Sequence, residues 1–206
     1  MGEVQAVKVI GLTGGIGMGK STAAGAFRRA RLPVFDADAT VHALQAPCGR
    51  ALPAIGAAFP GCVLCDAAGC RSLDRAALRA AVLADTGALS RLEAIVHPLV
   101  RRAERAFIAR ARRARARAVV LDIPLLLETG GDARVDLVMV VSAPRAVQIA
   151  RVRRRRRLAP EQMEAVIARQ MPDAEKRRRA DIVVRTGLSR HYALLPIRRL
   201  IGNLLA

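Results

Sequence analysis

Between a short β-branched run and a helical stretch, the chain carries Gly14-Gly15-Ile16-Gly17-Met18-Gly19-Lys20-Ser21, a complete match to G-x-x-x-x-G-K-[ST]. No other feature constrains the fold as tightly. Lys8 to Leu12 reads as a buried strand and residues 21–30 as a helix, so the pattern sits at a strand-to-helix turn. Glycines let the backbone curl until several N–H groups aim at one anion, and the helix start adds positive potential. Gly14, Gly15, Ile16, Gly17, Met18, Gly19, Lys20, Ser21 and Thr22 are therefore the candidate nucleotide-binding residues. In this chemistry Lys20 bridges the outer phosphates and the Ser21 hydroxyl ligates Mg²⁺. A glycine-rich turn followed by a chance Lys-Ser is the alternative, and the strand–helix context argues against it.

The remaining pattern extends this start into an α/β fold. Further strands are expected at Pro33–Asp36, Ala118–Asp122, Val135–Val141 and Asp181–Val184. Helices are expected over 144–157, 160–179 and from about 189 to the end. Strands separated by helices predict a five-stranded parallel sheet flanked by helices, with ligands at the carboxyl ends of the strands. Between 40 and 118 the spacing of Ala, Leu and Arg is helical, broken at Pro47, Pro53, Pro60-Gly61, Gly69 and Pro98. That block is too long for a crossover and reads as an inserted helical subdomain.

Carboxylates stand where two strands end. Asp36 and Asp38 are two apart, and on an extended chain both side chains would point the same way. One would orient or deprotonate an acceptor hydroxyl, Asp38 being the candidate base, while the other holds magnesium-bound water. A turn with a helix cap is the competing reading. Asp122 closes an apolar run and resembles a magnesium-contacting aspartate, with a strand-end cap as the equal alternative. Arg151 and Arg153 to Arg157 form a run that is either a solvated helix face or a lid neutralising transferred phosphate.

The net charge is +18, and all but three of the 35 basic residues are arginine. Such a chain attracts anions, nucleotides or nucleic acid. With 2% aromatic residues it has few rings for base stacking, which disfavours nucleic acid as the main partner. No apolar stretch reaches the roughly 20 residues of a membrane helix and no signal peptide is apparent, so a cytoplasmic protein without a membrane partner is expected. Cys48, Cys62, Cys65 and Cys70 lack the paired spacing of a zinc site and are expected to be reduced thiols. No Asn-Lys-x-Asp guanine-reading motif is present, and the length is short for a motor ATPase. A small kinase remains, with an ATP-switched nucleic-acid regulator as the alternative suggested by the arginine-rich 101–117 and 151–157 segments.

Ile10 to Thr22 together with Asp36-Ala37-Asp38, Leu73-Asp74-Arg75, Leu92 to Pro98, Asp122 to Glu128, Arg169-Gln170 and Ala180-Asp181 resembles the dephospho-CoA kinase family over nearly the whole chain. The resemblance implies a P-loop nucleoside-triphosphate hydrolase fold with an inserted helical substrate domain and a lid. It implies transfer of the γ-phosphoryl group of ATP, with Mg²⁺, to the ribose 3′-hydroxyl of dephospho-CoA. Residues 1–206 are then one unit: a core over about 1–38, 118–150 and 180–206, a coenzyme-substrate subdomain over about 39–117, and a lid over about 151–179. By position it makes Asp38, Lys20, Arg151 and Arg155 catalytic, and Asp36, Asp38, His97, Pro98 and Arg101 substrate-binding. Ser21 and Asp122 are the expected metal ligands. The residues around His97 do not themselves distinguish a ligand from a helix cap. The segment Ala180 to Gly187 is one residue shorter than the family pattern and lacks its asparagine, which removes the expected side chain for adenine. Oligomeric state is not legible.

Overall fold

The structure is a computed structural model that describes residues 7–156, 167–168 and 170–205. The chain divides into two compact units, Met1–Asp36 with Ile108–Ala206, and Ala37–Phe107.

In the first unit, β1 (Lys8–Thr13), β2 (Val34–Asp36), β5 (Ala118–Asp122), β6 (Leu137–Ser142) and β7 (Ile182–Arg185) form one parallel sheet in the order β2-β5-β1-β6-β7. All five residues of β5 are buried, as a strand covered on both faces requires. Side chains alternate across β6: Met139 and Val141 join Ile10, Leu12, Phe27 and Ile197 in one core, while Val138 and Val140 meet Leu126 and Leu127 in the other. The first core is closed by α1 (Lys20–Arg29) and α8 (Arg190–Leu205), which pack on each other. On the opposite side, α7 (Asp173–Arg178) packs on β6. α6 (Arg145–Arg156) follows β6. The register aligns the carboxyl ends, pairing Leu12 with Asp122 and Asp36 with Asp122.

The second unit holds α2 (Ala37–Leu44), α3 (Leu52–Ala58), α4 (Arg75–Ala84) and most of α5 (Ala88–Arg113). Its core is Ala51, Ile55, Phe59, Cys62, Leu78 and Ala88. The expectation of helices alone fails here. β3 (Val63–Cys65) and β4 (Arg71–Leu73) form an antiparallel hairpin, because the Asp66 side chain accepts from the amides of Ala68 and Cys70 and closes the turn. The thiol expectation also needs correction. Cys48 and Cys70 form a disulfide, with Cα atoms 5.3 Å apart, while Cys62 and Cys65 are free. The Cys48 amide donates to the Arg71 carbonyl at 2.7 Å and so holds the two segments together.

Asp74 caps α4, its carboxylate accepting from Ala76 and Ala77 at 2.9 Å. Asp74→Ala is expected to lower stability by about 1 kcal/mol, read from the midpoint of denaturant unfolding at unchanged slope.

The helix expected over 160–179 is, among the described residues past Gln170, restricted to Asp173–Arg178, because Pro172 with extended backbone starts it afresh. The expectations for Arg157 and Arg169 lie outside the described residues, as does the side chain of Arg155. No described helix is long and apolar enough to cross a membrane.

Candidate active site

β1 runs straight into the glycine loop, and α1 starts at its end. Gly19 at the N-cap has φ 96°, and no side chain caps the helix. Its opening turn has no cap from the N-cap side chain, the arrangement also found at helix starts that bind phosphate. Gly17 has φ 75°, and a Cβ there would come within 2.8 Å of Val152. Both the left-handed backbone and the close approach of α6 require glycine. Met18 points inward: its side chain is buried in the core and its sulfur accepts from the Ala143 amide at 3.0 Å. Ser21 is exposed in the first turn of α1.

Lys20 extends to the neighbouring strand, where its Nζ lies 2.5 Å from Asp122 Oδ1. Asp122 is almost wholly buried. Burial pushes its carboxyl above the ordinary carboxylate range, the Lys20 charge and hydrogen bond pull it back in part, and the Asp36 charge adds to the rise. Ionised Asp122 thus subtracts from stability at pH above that raised value, and the subtraction fades as pH falls toward the unfolded carboxylate range. Asp36 ends β2 in register with Asp122, and its Oδ2 lies 3.4 Å from an Arg28 guanidinium nitrogen.

Side chains distant in sequence fasten the loop. The Ile16 peptide is held from both sides, its N–H donating to Gln170 Oε1 at 3.0 Å and its carbonyl accepting from Gln148 Nε2 at 2.9 Å. The Thr186 hydroxyl donates to the Met18 carbonyl at 2.6 Å. Arg151 spans the gap between them, donating to the Thr186 carbonyl at 2.7 Å, to its hydroxyl at 3.0 Å and to the Gly17 carbonyl at 3.5 Å. A cavity of about 390 Å³, within the size range of ligand sites, borders Gly15, Met18, Gln148, Gln170 and Lys176.

The carboxyl edge of the first unit therefore brings together the loop, Asp36, Asp122 and Arg151. Asp38, His97, Pro98 and Arg101 belong to the second unit. Asp38 is exposed in the first turn of α2 rather than on an extended chain, so the argument that it shares the direction of Asp36 does not hold. His97, Pro98 and Arg101 share one face of α5 with Glu93, Ala94 and Arg105, around a depression of about 330 Å³. The sequence reading missed Gln148 and Thr186. Their partners are main-chain atoms more than 130 positions away, which no local pattern reveals.

A family model described as dephospho-CoA kinase matches residues 8–189. The chain belongs to that family. It is 61% identical to a dephospho-CoA kinase of Paramagnetospirillum magneticum over 83% of this chain and 78% of the relative. It is 52% identical to one of Gluconobacter oxydans over 96% of this chain and 98% of that protein. A solved Thermus thermophilus structure covers 96% of this chain and 98% of its own, with a TM-score of 0.81 at 35% identity. Members of the dephospho-CoA kinase family are kinases of the last step of coenzyme A synthesis, which places this chain among the ATP-using phosphotransferases.

Proposed function

We propose that the chain transfers the γ-phosphoryl group of ATP to the ribose 3′-hydroxyl of dephospho-CoA, in the cytoplasm. The observation that carries the reading is the open start of α1 behind the glycine loop, with Lys20 held on Asp122. The Lys20 ammonium rests on a buried carboxylate. With ATP bound it turns to the β- and γ-phosphates, where it balances charge as the phosphoryl group leaves. Asp38 accepts the proton of the 3′-hydroxyl, and Asp36 helps to orient it. His97, Pro98 and Arg101 line the binding face for the coenzyme substrate. Arg151 keeps the loop in shape through Thr186 and Gly17 and stands beside the phosphates, and Arg155 is assigned to phosphate by its place in the family pattern.

Mg²⁺ fits the donors available. Ser21 offers a hydroxyl and Asp122 a carboxylate, hard oxygen ligands of the kind this ion takes. No cluster of three or more His, Cys, Asp or Glu capable of holding a metal exists among the described residues, in keeping with an ion held mainly by phosphate and water. Bound there, it would neutralise phosphate charge.

Purified protein is expected to convert ATP and dephospho-CoA to ADP and CoA in a coupled assay. Phosphorylation of nucleosides with dephospho-CoA left untouched would overturn the reading. Gln170→Leu removes the acceptor of the Ile16 amide. Loss of one hydrogen bond of about 1 kcal/mol should raise KM for ATP roughly fivefold, with kcat little changed.

A further inference from the structure

The opposite edge of the same sheet carries a feature that phosphoryl transfer does not use. Two helices, α1 and α5, run down to this edge and end in the same way. In α1 the Leu32 amide donates to the Phe27 carbonyl and the Arg31 amide to the Arg28 carbonyl. In α5 the Ala116 amide donates to Ala111 and the Arg115 amide to Arg112. These are two copies of the Schellman closure, whose left-handed position favours glycine. Here that position is arginine both times, Arg31 at φ 61° and Arg115 at φ 53°. Of the three described non-glycine residues with positive φ, two are these arginines.

The two closures lead into β2 and β5, which are neighbours in the sheet, and β1 follows on the other side of β5. Strand spacing of about 4.8 Å puts the three strand starts within about 10 Å. Lys8, Arg29, Arg31, Arg112, Arg113, Arg115 and Arg117 are exposed around them, and none is in an ion pair with a described residue. The other half of the same edge is balanced. Asp132 pairs with Arg179, and the Asp136 and Asp181 carboxylates accept from the amides of Val9 and Val138. The excess of positive charge thus lies in the β2-β5-β1 half, at the end of β1 remote from the phosphate loop.

We propose that this half-edge docks the phosphate backbone of double-stranded nucleic acid. Guanidinium groups match phosphate geometry and need no base stacking, so the scarcity of aromatic residues that speaks against single strands does not apply. A lipid surface is the poorer occupant, because Leu205, beside the α8 end that Arg117 contacts, is the single exposed large apolar residue described there.

The test is fluorescence anisotropy with a 20-base-pair duplex across about 50–200 mM salt. Wild type is expected to bind with a log–log salt slope near −5 or −6, as about six or seven phosphate contacts give. Saturating ATP should not compete. Arg31→Gly/Arg115→Gly should flatten the slope by about 2 and weaken binding at least tenfold near 0.1 M salt. The same variant should keep its kinase activity and melt a few degrees higher, because glycine relieves the left-handed positions. Arg29→Ser/Arg113→Ser, at ordinary helical positions, should weaken binding similarly and provides a second route if the first variant folds poorly. Unchanged duplex binding in both variants overturns the proposal. So does displacement of duplex by ATP, and so does binding to anionic phosphatidylserine vesicles with none to duplex.

Discussion

Asp38→Asn is expected to lower turnover by about 10²–10⁴-fold, the range for loss of a general base, while ATP still binds. Asparagine preserves size and hydrogen bonding but cannot take the proton of the acceptor hydroxyl. Asp38 is exposed in the first turn of α2, where an aspartate also has an ordinary structural use, stabilising the positive end of the helix. The two roles separate cleanly. A structural aspartate gives a slightly less stable enzyme with near-normal turnover, whereas a base gives a normally folded enzyme whose kcat has collapsed. Single-turnover phosphorylation of dephospho-CoA, with ATP affinity measured independently, distinguishes them, and near-normal turnover would remove Asp38 as the base. Lys20→Ala provides the contrast. It should impair nucleotide affinity and turnover together and leave Asp122 buried without its cation.

The parts of this fold legible in sequence are those with a short-range cause. The glycine loop is written in consecutive residues, and the central strands are runs of buried, mostly apolar residues, so Ala118–Asp122 and Leu137–Ser142 could be located directly. The hairpin at Val63–Cys65 was not legible, because three-residue strands with two exposed positions carry little periodicity and depend on Asp66 closing the turn. The Cys48–Cys70 pairing was hidden for a related reason. Spacing of 22 residues says nothing until the hairpin places Cys70 beside the turn after α2.

At the site, residue type nominates candidates for the chemistry, and the scaffolding has no local sign. Lys20 and Ser21 are nominated by the glycine-loop pattern at the start of α1, and Asp122 by its place at the end of β5. The contacts that keep the loop in shape are not legible in the sequence, although Arg151 is named there as a phosphate-facing candidate and Gln170 within the family segment. Gln148, Gln170, Thr186 and Arg151 act on main-chain atoms of Ile16, Gly17 and Met18, and main-chain partners leave no mark on the sequence of either side. The argument from strand alternation does not reach Asp38, because α2 begins at Ala37.

The same limit hid the buried ion pair, whose removal is the second large effect expected. Lys176 is among the largest fully buried side chains, 1% exposed, with Nζ 2.7 Å from Glu128 Oε1. That oxygen also accepts from the Met171 amide at 3.0 Å, so the pair ties the segment before α7 to the turn after β5. The ammonium approaches off the line of a good hydrogen bond, and Glu128 Oε2 has no hydrogen-bond partner among the described residues. The attraction is therefore largely Coulombic, and two desolvated charges depend on each other. Lys176→Met should destabilise by about 3–5 kcal/mol, the cost of an uncompensated buried charge, lowering Tm on the order of 10 °C. Lys176→Met/Glu128→Leu should regain most of that loss, because removing both charges removes the desolvation penalty as well as the attraction. If the double variant were as unstable as the single one, the packing of the Lys176 stem rather than its charge would be what holds α7 on the sheet.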